Sequence, residues 1–197
     1  MLDSSHPSLS VLTFHFSLSF LDRTNIGNAR LFSLEKDLGI DENSLLYNIC
    51  LSLFFPFYVA AEIPSNMMMK RFRPSVWLTI IMVGWAIVVI GMGFVTNFTT
   101  LLITRILLGI CEGGLFPGVT YYITMWYPRH ETGLRMAMFF SAATAAGAFG
   151  GLLARGISGM AGIGGRGGWS WIFIIEGIIT LVVACAAYWC INDYPAT

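Results

Sequence analysis

The chain has 197 residues, of which 56% are hydrophobic and only 11% charged, and its 11 basic and 11 acidic residues cancel. A soluble domain carries about 25% charged residues, so at a mean hydropathy of +0.71 too few polar side chains remain to cover a water-facing surface. The balance excludes a disordered chain and a nucleic-acid binder and leaves an integral membrane protein.

A helix needs about 20 predominantly apolar residues to cross the hydrocarbon layer. Six stretches meet that length: 9–28, 45–64, 76–95, 100–123, 136–154 and 169–191. They do not alternate apolar with polar residues, as barrel strands would, so the expected fold is an all-α membrane protein of six transmembrane helices. The first span is the weakest, being interrupted by Asp22, Arg23 and Asn25. The fourth carries Pro117, which lacks an amide hydrogen and is expected to kink the helix just beyond Glu112. Gly109-x-x-x-Gly113, Gly114-x-x-x-Gly118 and Gly147-x-x-x-Gly151 predict close backbone approach between helices. The fifth span consists almost wholly of small residues between Ser141 and Gly151. Between the fifth and sixth spans, residues 162–167 spell G-x-G-x-x-G. That pattern binds dinucleotides only between a strand and a helix, so here it reads as a turn.

Lys70, Arg71, Arg73, Arg129 and Arg135 lie in or beside the 2–3 and 4–5 connections, and by the positive-inside rule this puts both termini in the cytoplasm. Asn97-Phe98-Thr99 is a glycosylation sequon by pattern alone, in a loop too short to stand clear of the bilayer. The four cysteines Cys50, Cys111, Cys185 and Cys190 all sit in apolar runs, with no Cys-x-x-Cys or Cys/His cluster. They read as small hydrophobes, and no metal, disulfide or other cofactor is expected.

Six ionisable residues fall inside the spans: Asp22, Arg23, Glu62, Arg105, Glu112 and Glu176. Each costs about 2.5–3.5 kcal/mol at mid-helix if unpaired, so such residues persist by pairing with one another or by lining a wet pathway. Two readings stand at this point for Asp22, Arg23, Arg105 and Glu112: a structural ion-pair network, or a substrate and proton pathway. If the spans form a 3+3 inverted repeat, these four residues lie on the first helix of each repeat, where transporters place their sites. Arg105 stays charged and needs a carboxylate near it, and Asp22 lies at a similar depth. Glu112 is about 10.5 Å along the helix from Arg105, too far for direct pairing in a straight helix. On the pathway reading Glu112 is the switchable proton carrier, with Asp22 and Arg105 as an adjustable partner pair. Glu62 and Glu176 read first as interfacial or packing residues, with a place on the transport pathway as the open alternative.

The stretches Phe20-Leu-Asp-Arg-Thr-Asn-Ile-Gly-Asn-Ala29, Glu62-Ile-Pro-Ser-Asn66, Arg105-Ile-Leu-Leu-Gly-Ile-Cys-Glu112 with Phe116-Pro-Gly118, and Trp169-Ser-Trp-Ile-Phe-Ile-Ile-Glu-Gly177 carry a resemblance. The chain resembles the amino-terminal half of a major facilitator superfamily transporter of the anion:cation symporter family, within it the fungal allantoate, nicotinate and vitamin permeases. The resemblance implies one six-helix bundle of two, at the plasma membrane, with alternating access and proton-coupled uptake of small organic anions. Carried over by position, Asp22, Glu112 and Arg105 are the proton-coupling residues. Arg23, Tyr58 and Asn25 fall to the substrate side, with Arg23 facing the substrate carboxylate.

Two departures stand out. Lys70 occupies the place of an acid in the family's 2–3 loop, which puts that loop's gating contact in doubt. The chain also ends at Asn192-Asp193-Tyr194-Pro195, where the family continues into six more helices. The expected partners are therefore a small organic anion, protons, the lipid bilayer and a second six-helix bundle or dimer partner, and the chain alone is expected not to sustain uptake. The alternative is a non-transporting fragment or a regulatory partner of a full-length homologue. An intramembrane enzyme is not expected: G-x-S-x-G and His-Glu-x-x-His are both missing from the sequence.

Overall fold

The computed structural model describes residues 7–40, 45–126 and 129–190; the expectations on residues 191–197 lie outside the described residues. Regular structure among the described residues is helical: α1 (Pro7–Leu31), α2 (Leu34–Asp37), α3 (Leu46–Arg71), α4 (Pro74–Met92), α5 (Phe98–Glu112), α6 (Leu115–Trp126), α7 (Arg129–Ser158) and α8 (Gly168–Cys190), with one short 3-10 turn at Ile163–Gly165. Helices follow from the solvent, since in hydrocarbon every backbone N–H and C=O must be satisfied within its own segment.

Five helical runs are long and apolar enough to cross a membrane: Leu46–Met69, Ser75–Met92, Phe98–Thr124, Thr132–Ser158 and Gly168–Trp189. The sixth long helix, α1, is of comparable length but more polar. Its polar residues are turned inward, with Ser17, Ser19, Asp22 and Asn25 all buried. The bundle, rather than lipid, receives them. The result is an integral membrane bundle of six long helices.

The fourth span is continuous but bent, and the bend sits at Gly113-Gly114, between α5 and α6, rather than at Pro117 itself. Proline removes the bond to the carbonyl four residues earlier and its ring crowds that carbonyl. For Pro117 that residue is Gly113, which is where the helix yields.

Packing follows the expected twofold exchange of spans 1–3 with spans 4–6. The most extensive contact joins α4 and α8, the third and sixth spans, which face each other across the pseudo-axis. The α1–α7 contact (first with fifth) is mirrored by α3–α5 (second with fourth), and α1–α8 (first with sixth) by α4–α5 (third with fourth). Glycines set these approaches. A Cβ on Gly109 would lie 2.7 Å from the Phe54 carbonyl oxygen, so α5 meets the backbone of α3 directly. On α7 the close face is Gly147 against Phe20 and Gly150 against Thr24, while Gly151 is exposed.

Three connections gather at one end of the bundle. Trp169 Nε1 donates to Asp37 Oδ2 at 2.8 Å, and Arg166 Nη1 donates to the Gly93 carbonyl at 3.2 Å. The Arg166 guanidinium also lies 4.2 Å from the Phe94 ring centre. The 1–2, 3–4 and 5–6 connections therefore share a side, as an alternating up-and-down path requires. The G-x-G-x-x-G segment belongs to this end as a turn, with Gly162, Gly164 and Gly165 at φ of +91°, +65° and +71°.

Candidate functional site

The inward face of α1 repeats at three and four residues, the spacing that stacks side chains on one side of a helix. Ser19, Asp22, Arg23 and Asn25 lie along it and reach partners on three other helices, α4, α5 and α8. Ser19 Oγ donates to Glu112 Oε1. Arg23 Nε donates to the same oxygen at 2.9 Å. Trp85 Nε1, from α4, donates to Asp22 Oδ2 at 3.0 Å. Asn25 Nδ2 donates to Glu176 Oε2 on α8, and Asn25 Oδ1 accepts from Asn28 Nδ2 at 3.3 Å.

Arg23 and Glu112 form the ion pair at the centre of this ladder, and their exposures differ sharply, 35% for the arginine side chain against 1% for the glutamate. The guanidinium also covers two rings of α3, at 5.0 Å from the Tyr58 centre and 5.7 Å from that of Phe54. Arg23 thus has one edge on a buried acid, a face on aromatics, and enough exposure to meet a solute. Such a fork presents two parallel hydrogen bonds to a carboxylate.

Arg105 is buried, and among the described residues its Nε and Nη2 have no hydrogen-bond partner, nor does Asp22 Oδ1. Asp22, Cys50 and Tyr47 lie within electrostatic reach of Arg105. The expected Asp22–Arg105 pair is therefore one of proximity without a closed hydrogen bond, while the other Asp22 oxygen accepts from Trp85. Glu112 likewise departs from expectation. Spacing along the fourth span left it without an arginine, whereas Arg23 supplies one from α1.

Of the residues expected on the substrate side, the structure brings Arg23 and Tyr58 together and turns Asn25 inward, buried against Glu176. Glu62 is half-buried on α3, one turn beyond Tyr58. Ser19, Phe54 and Trp85 were not singled out from the sequence. Ser19 could have been found, since it stands one turn before the Asp22-Arg23 pair. Phe54 and Trp85 lie in apolar runs that give them no distinguishing mark.

One turn of α1 below Ser19, Phe16 stacks on Phe139 with ring centres 4.1 Å apart and lies 5.9 Å from Phe116. This aromatic layer borders the charge ladder on the side of the 2–3 and 4–5 connections. At the opposite end a cavity of about 390 Å³ is lined by Phe32, Ser33, Asp37, Ser158, Arg166 and Gly167 among others. It is not the candidate site, because its two charged groups are already engaged by Trp169 and by the Gly93 carbonyl.

Comparison with known proteins is consistent with this geometry. Residues 12–197 match the sequence pattern described as Major Facilitator Superfamily. An uncharacterized transporter of Schizosaccharomyces pombe is 42% identical over 191 residues, covering 97% of this chain and 39% of that protein. A protein of Agrobacterium vitis provisionally named a tartrate transporter is 33% identical over 189 residues, covering 96% of this chain and 41% of that protein. The crystal structure of a bacterial homolog of the human lysosomal transporter Spinster, inward-facing and unoccupied, superposes with a TM-score of 0.87 at 21% identity, over 95% of this chain and 43% of that one. The chain spans roughly two fifths of the length of these curated relatives.

Proposed function

The chain belongs to the major facilitator superfamily, and on that premise we propose that it forms one six-helix half of a carrier that moves small organic anions by proton-coupled alternating access. The observation that carries this reading is the Arg23–Glu112 contact, with the arginine partly exposed and the acid sealed behind it. An anion reaching Arg23 competes with Glu112 for the same guanidinium. Glu112, deprived of its counter-charge in a buried setting, then takes a proton, because an unpaired carboxylate there is costly. One anion and one proton thus enter the site together.

In this reading Arg23 and Tyr58 hold the substrate, Glu112 carries the coupling proton, and Asp22 with Arg105 fixes the neighbouring charge. Asn25 acts from behind, through Glu176. Carboxylates such as allantoate, nicotinate or vitamins are the substrate class suggested by the resemblance, and the name of the Agrobacterium vitis relative adds tartrate. The opposite wall of the pocket comes from a second six-helix bundle, since rocking needs two bodies about a midplane site. The Lys and Arg of the 2–3 and 4–5 connections support cytoplasmic termini, and the resemblance suggests a plasma membrane.

The test is reconstitution in liposomes of this half together with a second bundle from a matching relative. Accumulation of nicotinate, allantoate or tartrate on an inward proton gradient, abolished by a protonophore, is expected. The half alone should show no sustained uptake. Failure of every carboxylate to accumulate would favour the non-transporting partner reading instead.

A further inference from the structure

The buried ladder holds more acids than bases. Asp22, Glu112 and Glu176 are buried, and the cations beside them are Arg105, also buried, and Arg23, partly exposed. With every group ionised the network carries one uncompensated negative charge inside a membrane-spanning bundle, a costly arrangement. One bound proton removes it.

The partners decide which acid holds that proton. Glu112 faces the Arg23 guanidinium and the Ser19 hydroxyl. Asp22 has Arg105 within electrostatic reach and the Trp85 indole N–H on one oxygen. Among the described residues Glu176 receives only the neutral amide of Asn25 on Oε2, and its Oε1 has no partner. The other groups around it offer little compensation. From α1 it faces Asp22, a like charge, and from α5 Arg105 and Glu112, whose opposite charges offset each other. Residues 74–92 of α4, its most extensive neighbour, contain no ionisable side chain, and Arg155 of α7 is exposed.

We propose that Glu176 is the resident proton site of this network, a neutral carboxylic acid with its proton on Oε1 and its carbonyl Oε2 held by Asn25, while Asp22 and Glu112 remain ionised beside Arg105 and Arg23. The step is a simple protonation: one proton adds to the Glu176 carboxylate and no other bond changes. With that proton in place the network is neutral before substrate arrives. Each anion that binds Arg23 must then bring a further proton with it. Asn25 thereby becomes a positioning residue for the proton site.

The inference rests on the transport reading for what the proton is used for, but its test is independent of transport. The full chain in lipid nanodiscs at neutral pH is examined by infrared spectroscopy for the carbonyl stretch of a protonated carboxylic acid. The band is expected in the parent, and expected to shift when glutamate is labelled with ¹³C. In Glu176→Asp, which keeps the charge count, the band should lose its response to labelled glutamate and respond to labelled aspartate instead. In Glu112→Asp it should still respond to labelled glutamate, and in Glu176→Gln, which mimics the neutral acid if Glu176→Asp does not fold, it should disappear; a glutamate band that persists in Glu176→Gln would overturn the proposal. Absence of the band, a parent band insensitive to labelled glutamate, or a band that moves to aspartate in Glu112→Asp would overturn the proposal. None of these results would bear on liposome uptake, which judges the transport reading separately.

Discussion

Arg23 Nε and Glu112 Oε1 lie 2.9 Å apart, joining the first and fourth spans through a partly exposed cation and a buried acid. The same guanidinium stacks on Tyr58 of the second span. Three helices therefore meet on one cation, and whatever withdraws that cation from Glu112 is felt by all three. In the proposed mechanism this makes Arg23 a pivot, with substrate on its exposed side and proton chemistry on its buried side.

Arg23→Lys tests the pivot. Lysine keeps the charge but loses the planar fork and its stacking on Tyr58. A charge-assisted hydrogen bond contributes about 1.5–3 kcal/mol, so anion affinity should fall roughly tenfold to a hundredfold in a transporter that pairs this half with a second bundle. Equilibrium binding of the transported carboxylate measures it. Unchanged affinity would assign Arg23 a purely structural task.

Trp85→Phe should destabilise the bundle. Asp22 would be left with no donor on either oxygen while staying buried, and an orphaned buried acceptor costs about 1–3 kcal/mol. For a chain of this size each kcal/mol lowers Tm by about 2–4 °C. The cost should shrink in an Asp22→Leu background, where no carboxylate remains to be abandoned. Thermal unfolding of the single and double variants in detergent gives the comparison, and equal costs in both backgrounds would locate the effect in lost ring packing.

The two-helix approach at Gly109 gives a paired expectation. Gly109→Ala sets a methyl against the backbone of α3 at Phe54 and Tyr58. Backbone cannot rotate away, so overpacking should cost about 1–3 kcal/mol. Gly156→Ala, on α7 with nothing within 4 Å of the new methyl, should be neutral or stabilise by up to about 1 kcal/mol through helix propensity. Thermal unfolding of both proteins checks the contrast, and a similar loss in the two would remove the packing explanation.

The residues of the ladder were legible in the sequence because charges in apolar runs stand out, and Asp22, Arg23, Glu112 and Glu176 are such charges. Their pairing was not legible. Successive helical residues diverge by about 100°, so the rotation of α1 decides whether Asp22 or Arg23 meets Glu112, and side chains from α4 and α8 set that rotation. Spacing within one helix measured Glu112 from Arg105 and could not foresee a partner arriving from α1. Asn25 was placed with the substrate by its position in the resembling stretch, two residues from Arg23. That step of two turns it to another side of the helix, toward α8. Pro117 announced a bend, but the yielding residue is the one whose carbonyl loses its bond, four positions earlier.

Glu112→Gln addresses the coupling step itself. Glutamine keeps an oxygen for Ser19 Oγ and Arg23 Nε, so the helices should stay in register, but it can neither hold a negative charge nor exchange a proton. Arg23 then meets an arriving anion without a rival carboxylate, and affinity should be equal to the parent or higher. Accumulation on a pH gradient should fall at least tenfold, since the anion no longer brings a proton to that site, whereas counterflow exchange of labelled for unlabelled anion needs no net proton movement and should persist. Gradient-driven uptake and counterflow, measured in the same liposomes, separate these outcomes. Accumulation at the parent level would move the carrier role away from Glu112 and leave its contact with Arg23 as a structural ion pair.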